Sequence, residues 1–183
     1  MTNRELAEWI DAYGKEIFSF CKWLTGCGPE AEELYQDTWL VVVRRLEELD
    51  AAGNVKSYCL SVALRLWKNK RRRYARRRRI EEEQFSGEIC GYGREWQALS
   101  PEQRLLRQER EQAVRKAVEE LPWRQRIIVL LFYMEEQPLG RIAEITGLPL
   151  GTVKSRLYHA RKALYQKLKD LEENVSDIEE ERV

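Results

Sequence analysis

The chain has 183 residues, of which 43% are hydrophobic and 34% are charged, enough for one ordinary domain or two small ones with buried cores. No apolar run reaches the roughly 18 to 20 residues that span a bilayer. The polar start at Asn3, Arg4 and Glu5 also lacks an apolar signal-peptide segment. We therefore expect no membrane insertion and a cytoplasmic location.

The cysteine and histidine content argues against metal-binding and nucleophilic sites. Cys21, Cys27, Cys59 and Cys90 form no CxxC pair, whereas structural zinc needs four clustered nitrogen or sulfur ligands. We predict no metal, no cofactor and reduced, mostly buried thiols, as a reducing compartment favours. Most nucleophilic schemes need a histidine, and His159 is the only histidine of the sequence. We therefore predict that the protein is not an enzyme.

Apolar periodicity in the first part of the chain predicts three helices. The third starts near Lys56, and the first runs from about Asn3 to Trp23 with an apolar stripe of Leu6, Ile10, Tyr13, Ile17 and Phe20. The second begins at Pro29, a favoured residue for a first helical turn, and ends at Asp50 with Gly53 and Asn54. Its apolar stripe follows a helical period and comprises Ala31, Leu34, Tyr35, Thr38, Trp39, Val42, Val43, Leu46 and Leu49.

The helical pattern weakens between Phe85 and Leu99 and restarts at Ser100-Pro101, a typical N-cap followed by proline. The restarted helix stops at Pro122 and presents Ala113, Val114, Ala117, Val118 and Leu121. Two segments, 123–134 and 138–146, then lead to a last helix from about Leu150. The sequence predicts an all-α fold in which two small helical domains, 1–82 and 100–169, are joined by a flexible linker at 83–99. Residues 170–183 form an acidic tail.

Charge is segregated along the chain although its formal net value is only +1. Residues 1–50 carry five basic and eleven acidic side chains, whereas ten of the fifteen residues in 65–79 are basic and none is acidic. Residues 122–169 carry nine basic and three acidic side chains, and the tail carries seven acids. This pattern predicts a polyanion bound at two separate positive patches.

The segment from Leu139 to Leu157 has the pattern of a helix-turn-helix. Ala143 is small where two helices cross, Gly147 suits a turn with positive φ, and Val153 locks the second helix. Val153, Leu157, Ala160 and Leu164 form its buried seam. The outward residues suit contacts with base edges and phosphates in a major groove. The predicted DNA-binding set is Lys154, Ser155, Arg156, Tyr158, His159, Arg161 and Lys162.

The basic run at residues 65–79 directly follows an apolar helical stripe. This position favours a folded basic helix over an unstructured arm. Each phosphate that such a helix neutralises releases counterions and makes binding depend on salt. On the second predicted helix, five residues share the face opposite the buried stripe, namely Glu33, Gln36, Asp37, Leu40 and Arg44, and the first four are the predicted docking residues. This face suits docking on a partner helix.

These segments together resemble the extracytoplasmic-function group of bacterial RNA polymerase sigma factors, in which regions 2 and 4 are joined by a linker. The run Ala31–Trp39 is similar to the region 2 signature, and residues 55–73 resemble the helix that binds the promoter −10 element. Leu121-Pro122, Arg126 and the run Gly151–Leu157 are similar to region 4, which binds the −35 element.

The resemblance implies a bacterial, nucleoid-associated sigma factor that binds core RNA polymerase and promoter DNA and directs promoter-specific transcription initiation. It implies that the β′ clamp helices bind the four-residue docking face and that region 4 contacts the β flap. An anti-sigma factor would cover one or both domains. The loop Asp50–Lys56 would capture a flipped −10 base, an extrusion that costs a few kcal/mol. The implied −10 set is Asn54, Lys56, Arg65, Lys68, Asn69, Arg72 and Arg73.

Three other functions remain open from the sequence. A dimeric helix-turn-helix regulator on palindromic DNA would leave the face at Glu33, Gln36 and Asp37 without a role. An RNA-binding module that uses residues 65–79 would leave the C-terminal motif unused. An enzyme is opposed by the missing acid–base and metal clusters.

Overall fold

A computed structural model describes residues 3–45, 54–78 and 111–180, with side chains at 5–45, 54–76 and 111–169. Every regular element in these ranges is a helix, which confirms the predicted all-α class. The predicted linker, the start of its following helix and Cys90 lie outside the described residues. The helices are α1 (Asn3–Thr25), α2 (Gly28–Arg44), α3 (Val55–Arg78), α4 (111–119), α5 (Trp123–Val129), a π-helical turn (Leu130–Met134), α6 (Leu139–Thr146) and α7 (Leu150–Glu180).

The chain forms two compact units. The described residues of the first lie within positions 1–91 and 140–148, and those of the second lie within 92–139 and 149–183. In the first unit α1, α2 and α3 pack pairwise against one another. Their apolar stripes meet in a core that contains Ile17, Phe20, Ala31, Leu34, Val42, Leu60, Val62 and Leu64, each at most 3% exposed. The periodic apolar residues therefore form the three-helix core that their spacing predicts.

Helix α2 ends earlier than the sequence predicts. It stops at Arg44, and the Arg45 amide N–H donates to the Val42 carbonyl at 3.1 Å, a tightened closing turn. Three consecutive valines precede this end, and β-branched side chains lower helix propensity. The predicted end at Asp50 is wrong, and Leu46 and Leu49 lie outside the described residues.

Three residues assigned to buried stripes lie at the surface instead. Ile10 is 36% exposed, Val43 is 44% exposed and Val114 is 46% exposed. Each sits at the margin of its apolar stripe, where a helix in a small bundle contacts neighbours over only part of its circumference. Periodicity gives the direction of the buried face but not its width.

The second unit is organised around a continuous apolar run. Residues Ile127–Leu131 are all at most 4% exposed, and α5 packs against α7. The run passes from α-helix into one π-helical turn, in which the Glu135 amide donates to the Leu130 carbonyl at 3.1 Å. The spacing of the apolar residues does not predict the π-helical turn. Such π-turns occur frequently at functional sites.

Gly147 supplies the positive φ that the turn before α7 needs. Its φ is 70°, and the amides of Gly147 and Leu148 both donate to the Ala143 carbonyl, at 2.9 and 3.1 Å. We expect Gly147→Ala to lower the free energy of unfolding by about 1 kcal/mol, because a Cβ disfavours the left-handed region. The measurement is urea unfolding of the full chain, followed by circular dichroism.

Gly151→Ala is the matched control for Gly147→Ala. Gly151 lies in the first turn of α7, and a Cβ built there meets no atom within 4 Å. Alanine is the better helix former, so this variant should be as stable as the wild type or more stable. Equal losses at both glycines would contradict a specific requirement at Gly147.

Cys59 is fully buried on α3, and this burial raises the pKa of its thiol from 9.0 to about 12 although a backbone hydrogen bond lowers it. The thiolate is the reactive form. We therefore expect Cys59 to resist a disulfide-exchange reagent at pH 8 in the folded protein and to react in urea. The half-buried Cys27 should react first. The experiment uses Cys90→Ser so that the thiol at position 90 does not contribute to the reaction.

The same pKa shift sets the direction of a pH effect. Since the unfolded chain loses the Cys59 proton before the folded one, this thiol destabilises the fold as pH rises from 9 toward 12. Native labelling of Cys59 at the unfolded rate would contradict its burial.

Candidate nucleic-acid interface

Helix α3 carries a basic face beyond the core of the first unit. Arg65, Asn69, Arg72 and Arg76 recur at i, i+4, i+7 and i+11, and all four are exposed. Arg73 is also exposed, whereas Lys68 is half-buried. Because this spacing keeps one direction on a helix, the structure brings together most of the predicted −10 residues on one surface. Arginine and lysine side chains on such a face suit phosphate contacts.

The two remaining residues of the predicted −10 set have structural partners at the start of α3. The Asn54 side-chain oxygen accepts the Ser57 amide N–H at 2.9 Å, as an N-cap does. Lys56 Nζ lies 2.7 Å from Glu16 Oε2 and is half-buried. These contacts anchor the start of α3 to its own turn and to α1. Most of the predicted base-capturing loop lies outside the described residues.

The predicted docking face is exposed on α2. Glu33, Gln36, Asp37 and Leu40 all lie at the surface, and Leu40 is 54% exposed. The opposite side of α2 is buried at Ala31, Leu34 and Val42. An exposed apolar side chain on the same helix face as acidic and amide groups suits a protein interface, which has an apolar centre and a polar rim.

Lys70 joins this docking face rather than the basic face of α3. Its Nζ lies 2.6 Å from Glu33 Oε2. Burial of the ammonium lowers the pKa of Lys70, but the Glu33 hydrogen bond and the charges of Glu33 and Glu30 outweigh it and raise the pKa above its usual value. The Lys70 charge is therefore held by α2. This pairing has no signal in the sequence, because 37 residues separate the partners.

Helix α7 presents a mixed polar and aromatic surface from its first turns. Val153, Leu157 and Ala160 are buried, while Leu164 is half-buried. On the other side, Lys154, Ser155, Tyr158, His159, Arg161 and Lys162 are exposed, and Arg156 is half-buried. The rings of Tyr158 and His159 meet edge to face at 5.5 Å between centroids. The structure therefore gathers six of the seven predicted −35 residues on one open face.

Arg161 differs from its neighbours because it is held by aromatic residues of the π-helical turn. Its Nε donates to the Tyr133 hydroxyl at 2.7 Å, and its guanidinium lies 5.3 Å from the Phe132 ring centroid and 5.5 Å from that of Tyr133. Tyr133 is 52% exposed. The role of Tyr133 has no signal in the sequence, because this residue lies 28 residues before Arg161 and outside any local motif.

The described residues contain no group of three or more His, Cys, Asp or Glu side chains that could hold a metal ion. Within the same ranges, no helix is both long and apolar enough to cross a membrane. The features that stand out are therefore two basic helix faces, on α3 and α7, and one acidic face on α2.

Two family models match the chain. Sigma-70 region 2 matches residues 9–78, and Sigma-70, region 4 matches residues 111–164. ECF RNA polymerase sigma factor SigW of Bacillus subtilis is 25% identical over 167 residues, which cover 90% of this chain and 89% of SigW. The RNA polymerase sigma-H factor of Pseudomonas aeruginosa is 28% identical over 146 residues, which cover 78% of this chain and 75% of that protein.

Solved structures support the same fold. The sigma factor RpoE in complex with the anti-sigma factor NepR from Bartonella quintana superposes with a TM-score of 0.77 at 20% identity, over 91% of this chain and 98% of RpoE. CnrH in complex with the cytosolic domain of CnrY gives a TM-score of 0.64 at 15% identity, over 92% and 90% of the two chains. Because regions 2 and 4 occur in order in a chain that matches SigW over most of its length, the protein belongs to the extracytoplasmic-function group of sigma-70 factors, non-enzymatic proteins that direct promoter-specific transcription initiation.

Proposed function

We propose that the three charged faces divide the work of promoter recognition between them. The acidic face of α2 docks on core RNA polymerase, the basic face of α3 holds the −10 element, and the exposed face of α7 binds the −35 element. The observation that carries this proposal is the presence of two basic faces on different helices together with one acidic face that carries an exposed leucine. A single DNA-binding surface would need neither the second basic face nor the acidic one.

In the docking step, Leu40 enters an apolar site on the polymerase while Asp37 pairs with a basic group. Glu33 already forms an ion pair with Lys70, so Asp37 carries the negative charge that a partner meets first. No ion pair engages Asp37 within the described part of the chain. The partner of this docking face would be the β′ clamp helices, and region 4 would contact the β flap.

In the −10 step, the arginines of α3 bind the backbone of the separated strands. The residues for this role are Arg65, Arg72 and Arg73 at the exposed face, with Lys68 beside them and Asn69 between them. Asn54 and Lys56 hold the preceding turn through their contacts to Ser57 and Glu16. Each phosphate of a separated strand that is neutralised should make the slope of log K against log salt more negative by about 0.7.

In the −35 step, α7 enters the major groove with its first exposed turns. Lys154 donates to guanine O6 and N7, Ser155 serves polar base edges, and Tyr158 contacts a thymine methyl group. His159 and Lys162 extend this surface, and Arg156 and Arg161 bind phosphates beside it. All of these residues lie on α7, so one rigid helix sets their spacing.

We also propose that an anti-sigma factor covers one or both domains and that the protein acts in the bacterial cytoplasm at the nucleoid. Two of the similar solved structures are complexes, RpoE with NepR and CnrH with CnrY. The domain limits proposed for these activities are 1–82 and 100–169, with the linker at 83–99 and the acidic tail at 170–183.

The experiment is in vitro transcription with purified core polymerase and a pool of genomic promoter fragments. The protein should direct specific start sites that core polymerase alone does not use, and the enriched fragments define the −10 and −35 sequences. Specific DNA binding by a dimer, combined with no transcription by the reconstituted complex, would instead support the dimeric regulator.

A further inference from the structure

We propose that Tyr133 and Arg161 form one phosphate-binding unit at the edge of the α7 reading face, in which the Tyr133 hydroxyl donates to a DNA backbone phosphate. This inference rests on the proposed −35 role of α7 and deepens it. It adds a residue from the π-helical turn to a surface otherwise built from α7 alone.

The hydrogen bond between these residues fixes the direction in which Tyr133 can donate. Arg161 Nε is the donor to the phenolic oxygen at 2.7 Å, so the hydroxyl acts there as the acceptor. Its own proton remains available for a second partner. An acceptor polarised by a cation also becomes a stronger donor, because hydrogen bonds in a chain reinforce one another. The guanidinium keeps further N–H groups for the same phosphate.

The location of the pair matches the position of a DNA backbone. Arg161 follows Lys154 by seven residues on the same side of α7, which places it about 10 Å farther along the helix axis. The major groove is about 12 Å wide. If Lys154 reads a base edge inside the groove, a group about 10 Å away along the helix lies near the phosphates that border it. Tyrosine is one of the side chains that contact phosphates in such positions.

The exposure of Tyr133 argues for a ligand beyond its partner on α7. A tyrosine that only fastens one helix to another usually buries its ring and satisfies its hydroxyl inside the protein. Tyr133 is instead 52% exposed, and it lies on a π-helical turn. The Phe132 ring and the Arg161 guanidinium hold the phenol in place, so little ordering is needed when DNA binds.

The test compares wild type and Tyr133→Phe as holoenzymes on the promoter fragment that the transcription experiment selects. Phenylalanine keeps the ring and its contact with the guanidinium but removes the hydroxyl. We expect Tyr133→Phe to bind this fragment about three- to tenfold more weakly than the wild type. The loss should be the same on every single-base variant of the −35 element, and the thermal unfolding midpoint should not change. Tyr165→Phe removes a hydroxyl from an α7 tyrosine that is 70% exposed, and it should leave the affinity unchanged.

A scan with neutral methylphosphonate linkages locates the contact. At one phosphate beside the −35 element, the neutral linkage should weaken the wild type several-fold more than Tyr133→Phe. Arg161→Lys keeps the charge but not the planar donor geometry, and it should lose the same contact. Equal sensitivity of wild type and Tyr133→Phe at every phosphate would overturn the proposal, even if the variant were less stable. Failure of the holoenzyme to prefer any −35 sequence would overturn the α7 assignment itself.

Discussion

Asp37→Arg should abolish co-purification of this protein with core RNA polymerase. The substitution replaces the exposed acid beside Leu40 with a base, so a basic group on the partner meets a like charge. Like charges across an interface cost several kcal/mol, and about 3 kcal/mol already corresponds to more than a hundredfold in affinity. The measurement is pull-down of purified core polymerase by the tagged full-length chain, followed by titration of the complex.

Glu32→Arg is the control for this effect. It changes the net charge by the same amount on the same helix, but Glu32 is exposed at the side of α2 rather than on the docking face. Because a charge at the rim of an interface contributes little, this variant should bind core polymerase within a few-fold of the wild type. Asp37→Arg should also unfold at the wild-type temperature. Intact binding by folded Asp37→Arg would remove α2 from the docking interface.

Lys154→Ala should weaken the preference for one base pair of the −35 element by about 1 to 3 kcal/mol. Lys154 is exposed in the second turn of α7, while the neighbouring Val153 is buried, so the lysine side chain can be truncated without disturbing the core. A base contact predicts a loss confined to one position, whereas a phosphate contact predicts a uniform loss. The measurement is the affinity of the holoenzyme for a complete set of single-base −35 variants.

The control for Lys154→Ala is Lys167→Ala on the same helix. Lys167 pairs with Glu120 within the second unit, and this contact lowers the pKa of Glu120. Removing it should leave every base preference unchanged, since the ammonium is occupied by a carboxylate of the protein. A Lys154→Ala variant whose base preferences all match the wild type would exclude that lysine from base contacts.

Much of the fold was predictable because its signals are local. The apolar periods of α1, α2 and α3 and the proline at the start of α2 predict helices without reference to the rest of the chain. Glycine at position 147 likewise predicts a turn, which the structure confirms with a φ of 70°. The end of α2 was not predictable in this way, because a weak helical pattern continued beyond Arg44.

The candidate site was predictable as a set of helical faces but not as a set of contacts. The sequence by itself determined which residues share a side of α2, α3 and α7, because a helical period depends only on spacing along the chain. Only the tertiary structure decided that Lys70 pairs with Glu33 and that Tyr133 holds Arg161. These partners lie 37 and 28 residues apart, and they meet because separate helices pack their apolar sides together. Packing between helices therefore decided which side chains hold Lys70 and Arg161, because these contacts join residues that are distant along the chain.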